Sequence, residues 1–238
     1  MQTLPGRLYL IPTRIGDNPP LEVLPLSIKK IVEETDYFIV ENEKTARRFI
    51  KRISPKKSQG SLSISVLNKF TDESELPSFL DPCLEGEHVG LLSEAGCPAV
   101  ADPGSEIVRM AHEKDIRVVP LVGPSSIILA LMSSGMNGQS FTFNGYLPID
   151  KSERKKELKR LERLSAERNQ TQIFIETPYR NNQLLQDIMQ VLGNMTRICV
   201  ASDLSLPTEY IRTKTVAEWK NKTIDLHKRP TIFILHKD

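Results

Sequence analysis

Short apolar runs alternate with amphipathic segments along this chain, and most of the runs end in a loop rich in glycine and proline. No other feature restricts the fold as strongly. Residues 6–11 (GRLYLI) are an apolar run ending at Pro12, which predicts a buried strand. Residues 12–25 carry four prolines and Gly16 and predict a loop. Leu26, Ile28, Ile31 and Val32 predict a short helix over 26–34, and 36–40 a second strand. In the segment 41–53, Ala46, Phe49, Ile50 and Ile53 recur at i, i+3, i+4 and i+7, as on one face of a helix, and Pro55 stops it. Leu62, Ile64 and Val66 alternate in a strand over 61–67. A polar loop over 68–77 and a short helix over 79–84 follow, then strand 88–93, a Gly/Pro loop over 94–104, helix 105–114 and strand 116–122.

The second half has a different rhythm. Gly123 precedes a helix that runs through Ser134, with Gly135 placed to end it. Strand 141–147, charged helix 151–166, strand 171–177 and helix 179–192, ended by Gly193, follow. Strands 197–203 and 209–213, a short helix at 216–220 and strand 231–236 complete the chain. Strands alternating with helices imply βαβ units and a parallel sheet, and adjacent strands without a helix between them imply a mixed sheet. The expected fold class is therefore α/β, with a parallel-rich N-terminal sheet over 1–123 and a mixed C-terminal sheet over 124–238. In such sheets ligands bind at the carboxyl ends of the strands, where the unusual loops lie.

Composition excludes several classes. Of 238 residues, 39% are hydrophobic and 26% charged, which supports a real core rather than disorder. No apolar run approaches the ~20 residues that span a bilayer, so no membrane partner is expected. Residues 1–7 lack the basic start and apolar core of a signal peptide. Cys83, Cys97 and Cys199 are widely spaced and read as free thiols of a reducing, cytoplasmic protein. His88, His112, His227 and His236 show no metal-ligand spacing, so no metal is expected. The chain contains no GxxxxGK[ST], no GxGxxG after a strand and no GxSxG, which removes the P-loop, dinucleotide and hydrolase readings.

Four loops remain: 11–17 (IPTRIGD), 92–104 (LSEAGCPAVADPG), 119–126 (VPLVGPSS) and 174–180 (FIETPYR). Their glycines let main chain approach a ligand and their prolines fix the path. Such loops suit recognition of a small polar molecule by backbone groups.

These segments resemble a known family. Residues 92–104 are similar to its SDAGTPxxSDPG signature, 119–126 to VxPxPGPSA and 8–16 (LYLIPTRIG) to LYLVxTPIGN. Residues 143–148 (FNGYLP) and 174–180 are similar to FxGFLP and FYESPHR. The family is the class III, tetrapyrrole-methylase-like methyltransferases that use S-adenosylmethionine. Within it the resemblance is to the branch acting on the cytidine ribose 2′-hydroxyl of small-subunit ribosomal RNA.

The resemblance implies two α/β domains, a donor cleft between them and a homodimer. It implies donor contacts at Pro12 and Thr13, at Ser93, Glu94, Ala95, Pro98 and Val100, and at Gly123, Ser125 and Ser126. Further contacts are implied at Thr177, Pro178, Ala201, Ser202 and Pro230. The chain departs from the family pattern at Arg14, which replaces a proline, and at Glu94, which replaces an aspartate. It also departs at 40–44 (VENEK), 67–72 (LNKFTD) and 202–205 (SDLS), on the substrate side.

A ribose hydroxyl must lose its proton as it attacks, and Glu94, Asp102 and Glu176 are the candidate bases. Each has a plainer alternative: a turn or helix cap for Asp102, loop support for Glu94, and bonding of neighbouring N–H groups for Glu176. Arg47, Arg48, Lys51 and Arg52 lie in a basic run from Lys44 to Lys57 and are the candidate RNA contacts. The basic stretch 151–163 carries Glu153, Glu157 and Glu162 and reads as a solvated, salt-bridged face. Three functions stay open: a ribosomal RNA methyltransferase partnered by the small subunit, a small-molecule methyltransferase such as one for tetrapyrroles, and a diverged donor-binding relative.

Overall fold

The structure is a computed structural model, and it describes residues 5–238. Residues 1–4, which include most of the segment read as lacking a signal peptide, lie outside the described residues. The chain divides into two compact units, one running to Ser125 and the other from Ser126 to Asp238.

The first unit is built on five strands: β1 (Arg7–Ile11), β2 (Tyr37–Val40), β3 (Ser63–Val66), β4 (Val89–Leu92) and β5 (Arg117–Pro120). Their order is β3-β2-β4-β1-β5, and every pairing is parallel. Side chains alternate between the two faces of a strand, so a sheet buried on both sides needs apolar residues throughout. Tyr9, Ile11, Phe38 and Val40 pack with α2 (Leu26–Glu34) and α3 (Glu43–Ile53). Leu8, Ile39, Val89 and Leu91 pack on the opposite side with α4 (Asp81–Leu84) and α5 (Ser105–Glu113). Helix α3 buries Ala46, Phe49, Ile50 and Ile53, the stripe read from their spacing.

Two loop expectations need correction. The proline-rich 12–25 segment contains a helical turn, α1 (Pro20–Val23), because Pro20 at its start lacks only an N–H that a first turn leaves free. The short helix expected from 79 starts earlier, as a 3₁₀ turn over Leu76–Leu80 that leads into α4; Pro77 sits at its first turn.

The second unit contains α6 (Ser126–Ser134), β6 (Phe141–Tyr146), α7 (Lys151–Arg168), β7 (Thr171–Ile175) and α8 (Asn181–Val191). These are followed by β8 (Arg197–Ser202), β9 (Tyr210–Thr215), α9 (Val216–Trp219) and β10 (Thr231–His236). The sheet order is β6-β7-β10-β8-β9. Strands β6 and β7 are parallel and the other pairings antiparallel, so the sheet is mixed. Trp219 is fully buried, and its indole N–H donates to the Ile198 carbonyl at 2.9 Å.

Gly193 does not end α8 through a left-handed turn. The helix stops where Leu192 turns extended, and the Gly193 N–H donates to the Glu162 carboxylate at 2.7 Å. Glu162 is therefore a brace between elements rather than part of a solvated helix face. Arg154, in the same charged helix, is 4% exposed and is bound by the fully buried Asp187 at 2.6 Å. Among the described residues no helix is long and apolar enough to cross a membrane.

Candidate functional site

Because the strands of the first sheet run in one direction, their carboxyl ends share an edge. Ile11 lies opposite Leu92, and Leu92 opposite Val40. The loops after β1 and β4 are joined directly at this edge. Thr13 N–H donates to the Gly96 carbonyl at 2.9 Å, and Gly96 N–H returns a bond to Thr13 O at 3.2 Å. The Ser93 hydroxyl donates to Gly96 O at 2.5 Å and lies 3.3 Å from the Thr13 hydroxyl. Gly96 has φ +79°, a region that favours a residue without a Cβ. Ala99 and Ala101 share the left-handed region at φ 63° and 61°, so the 93–104 loop is coiled by several such residues.

The loop after β5 closes on the same place. A Cβ on Gly123 would lie 2.3 Å from the Pro12 Cβ, so only glycine permits this approach. Thr13, Ser93, Glu94 and Ala95 line one concavity of about 270 Å³, with Arg14 and Thr45. Pro98, Val100 and Ser125 belong to the same unit, and Val100 is exposed. Arg14 is held by Asp17 at 2.7 Å and by the Asn18 carbonyl at 2.6 Å.

Three carboxylates gather where β2 and β4 end. Glu94 accepts a hydrogen bond from the Thr45 hydroxyl at 2.6 Å. Asp102 has a buried Oδ2 with no partner among the described residues. Burial, then the charges of Glu41 and Glu94, push the Asp102 carboxyl up to about 6. Asp102 does not cap α5, whose N-cap is Gly104, with no side-chain bond. A second concavity of about 390 Å³ is lined by Glu41, Asn42, Asn68, Lys69, Phe70, Glu94 and Pro103. Glu94 borders both hollows. Sequence reasoning gave Glu41 and Phe70 no role of their own; the signal was their place in 40–44 and 67–72, the divergent segments that follow β2 and β3.

In the second unit another set meets at one edge. Ile175, which precedes Glu176, Thr177 and Pro178, pairs with Ile232, and Thr231 pairs with Ser202. Glu176 is buried; it accepts from Thr177 N–H at 2.7 Å and from the Arg180 guanidinium at 2.6 Å. Ser202 donates to Pro230 O at 3.3 Å and lies 3.0 Å from the Thr231 hydroxyl. Ala201 is fully buried. Asp203 is bound by Arg229 at 2.8 Å. Ser126 opens α6.

The basic run is partly committed. Arg47 binds Glu43 at 2.7 Å, and Arg52 binds Asp17 at 2.8 Å. Lys57 binds Asp36 at 2.8 Å. Lys44, Arg48 and Lys51 are exposed and form no ion pair among the described residues. Among the described residues no three His, Cys, Asp or Glu side chains are grouped so as to hold a metal ion.

The family model of the tetrapyrrole (corrin/porphyrin) methylases matches residues 7–220. The ribosomal RNA small subunit methyltransferase I of Vibrio cholerae is 28% identical over 232 residues, which cover 96% of this chain and 76% of that protein. The enzyme of the same name from Halalkalibacterium halodurans is 30% identical over 220 residues, covering 92% and 69%. The solved structure of the methyltransferase CobJ superposes with a TM-score of 0.63 at 16% identity, covering 98% of this chain and 94% of that one.

Proposed function

The chain belongs to the tetrapyrrole (corrin/porphyrin) methylases, and from that premise we propose that it transfers a methyl group to a ribose 2′-hydroxyl of small-subunit ribosomal RNA. One observation carries the choice of acceptor: the likeness to small-subunit RNA methyltransferases runs along nearly the whole chain. The likeness to CobJ, at 16% identity, speaks to architecture alone.

The donor in this reading is S-adenosylmethionine, whose sulfonium supplies an electrophilic methyl carbon. The first unit fits such a cation. Its strand-end edge holds Glu41, Glu94 and Asp102 without an arginine or lysine bound to any of them among the described residues. The backbone around Pro12, Thr13, Ser93, Ala95, Pro98, Val100, Gly123 and Ser125 would hold the donor. We assign Ser126, Thr177, Pro178, Ala201, Ser202 and Pro230 the same role on the second unit. For Ala201 and Ser202, which are fully buried, that role passes through the backbone they position.

Asp102 is the base we assign. Glu176 already accepts two hydrogen bonds, one from an arginine, and Glu94 is held by Thr45. Asp102 alone of the three keeps a buried oxygen free. A carboxyl raised to about 6 is ionised at neutral pH yet basic enough to take a proton from an attacking hydroxyl. Glu94 supports the loop and holds Asp102 in its raised state.

On the RNA side we assign phosphate contacts to Arg48 and Lys51 of α3, which like Lys44 form no ion pair among the described residues, and Arg47 and Arg52 contribute less because Glu43 and Asp17 already hold them. Replacing both Arg48 and Lys51 with alanine is expected to flatten the salt dependence of RNA binding by about 1–2 in log–log slope, read from titrations at several salt concentrations. The protein is read as a cytoplasmic homodimer. The exposed Ile128 and Met132, one helical turn apart on α6, support self-association, and sedimentation tests it.

The activity test uses small ribosomal subunits lacking the mark, radiolabelled donor and the purified protein. Label at a ribose 2′-oxygen of the RNA is expected. Unlabelled RNA together with labelled tetrapyrrole precursors would replace this reading with the small-molecule one. Donor binding without transfer to either would mark a diverged relative.

A further inference from the structure

We propose that Phe70 is a stacking platform for an unpaired nucleobase of the acceptor RNA. This deepens the reading above and rests on it. Phe70 is 82% exposed, yet it is not on a loose loop. Its N–H donates to the Asn68 side-chain oxygen at 2.9 Å. The Thr71 hydroxyl accepts from Asn68 N–H at 2.9 Å and donates to Val66 O at 3.0 Å, and Thr71 N–H donates to Asn68 O at 3.0 Å. The end of β3 thus fastens a turn that presents an aromatic ring to water. A lone exposed aromatic is ordinary on a surface; one fixed at the rim of a polar hollow is a recognition element.

That hollow has the remaining parts of a nucleotide site. Glu94 lines it, so it borders the carboxylates assigned to the reaction. Lys69 lies 4.8 Å from the Phe70 ring centre and supplies a cation for a phosphate next to a stacked base. Asn42 and Asn68 line it too. Their oxygens accept backbone N–H groups of Lys44, Thr45 and Phe70, which fixes the orientation of both amides. Each amide NH₂ therefore has no partner among the described residues. Two such donors suit the ring carbonyl and ring nitrogen acceptors of a pyrimidine. Single-stranded RNA is read by this combination of stacking and edge hydrogen bonds. Five of the seven residues that line the hollow are polar or charged, Glu41 and Glu94 among them.

The test compares Phe70→Ala, Phe70→Leu and Phe70→Trp with the wild type. The side chain is exposed, so all three should fold. Phe70→Ala is expected to weaken binding of small-subunit RNA about tenfold to a hundredfold, from the stacking of one base. Phe70→Leu should lose nearly as much although it stays apolar, and Phe70→Trp should bind as the wild type does. Donor affinity should stay within twofold in every variant. The native protein has one tryptophan, Trp219, which is buried. Phe70→Trp therefore adds a surface reporter, and its emission should be quenched when RNA binds. Unchanged RNA affinity in Phe70→Ala would overturn the platform and leave the methyltransferase reading intact. If the wild type methylates no ribosomal RNA, that reading falls. Quenching then decides alone: an unquenched Phe70→Trp with RNA overturns stacking, and a quenched one sustains it.

Discussion

The two strand-end edges are built from similar residues and treat their charges in opposite ways. In the second unit each of the buried carboxylates among the described residues has an arginine: Glu176 and Asp203, at the edge, have Arg180 and Arg229, and Asp187, within α8, has Arg154. In the first unit Glu41, Glu94 and Asp102 crowd together with no such partner, and Asp102 is pushed up to about 6. A carboxylate paired with arginine is a fastener, because protonating it would break the pair. The Asp102 carboxyl, raised to about 6, is mostly ionised at neutral pH and can take up a proton there, as a general base must. On the proposed reading, the contrast puts the proton-transfer group on the first unit and gives the paired carboxylates of the second a bracing role.

The strongest way to break the contrast is Asp102→Asn. It is expected to lower kcat about 10²- to 10⁴-fold, the usual contribution of a general base. The wild-type rate should rise with pH through about 6, and the variant should lack that limb. Stability should move the other way. The folded carboxyl titrates above its ordinary 3.8, so the native state binds the extra proton between the two values. Stability of the wild type therefore falls as pH rises from about 4 to 6, and the whole cost is present above 6. The variant should gain on the order of 1–2 kcal/mol at pH 7, after solvent screening of a half-buried group, and nothing below about pH 4. Denaturant titrations at pH 4 and pH 7.5 check this. A rate unchanged by the substitution would move the base elsewhere.

The fastened edge gives the next effect. Arg154 binds Asp187 through Nε at 3.0 Å and Nη2 at 2.6 Å, and it donates to the Ile149 carbonyl at 2.7 Å. It thereby ties α7 to α8 and to the chain that leaves β6. Arg154→Ala leaves a buried carboxylate without its main partner, at a cost of about 3–5 kcal/mol in equilibrium unfolding. Replacing both partners with leucine should recover most of that loss. A double variant as unstable as the single one would mean that the carbonyl bonds, rather than the pair, hold the edge.

Much of the first edge was legible in the sequence. Glycine and proline are needed where loops after strands touch, and Gly96 and Gly123 stand at those contacts. The hydrophobic stripe of α3 followed directly from spacing. What stayed hidden depended on tertiary partners. Arg154 sits in a run of charges that looks solvated, and only the approach of α8 buries it. The basic run looked free of acids because Asp17 and Asp36 come from other segments. Asp102, just before Pro103 and Gly104, has the local pattern of a cap, yet Gly104 occupies the cap and one buried Asp102 oxygen has no donor among the described residues.

Glu176→Gln probes the contrast at its smallest scale. The amide keeps an oxygen for Thr177 N–H and gives up the charge that binds Arg180. Arg180 is partly exposed, so water takes over some of the lost bonding, and the cost should be about 1–2 kcal/mol by thermal or denaturant unfolding. Thr177 and Pro178 follow directly in the chain, so loosening them should weaken donor affinity several-fold. The chemical step should stay within a few-fold of the wild type, with the same pH limb near 6, because that limb belongs to Asp102. The two edges can thus be told apart by kind of loss: the first loses rate and its pH dependence, the second loses stability and donor affinity. A Glu176→Gln protein with intact stability and donor affinity and a rate lower by a hundredfold would reverse that assignment and place the base on the second unit.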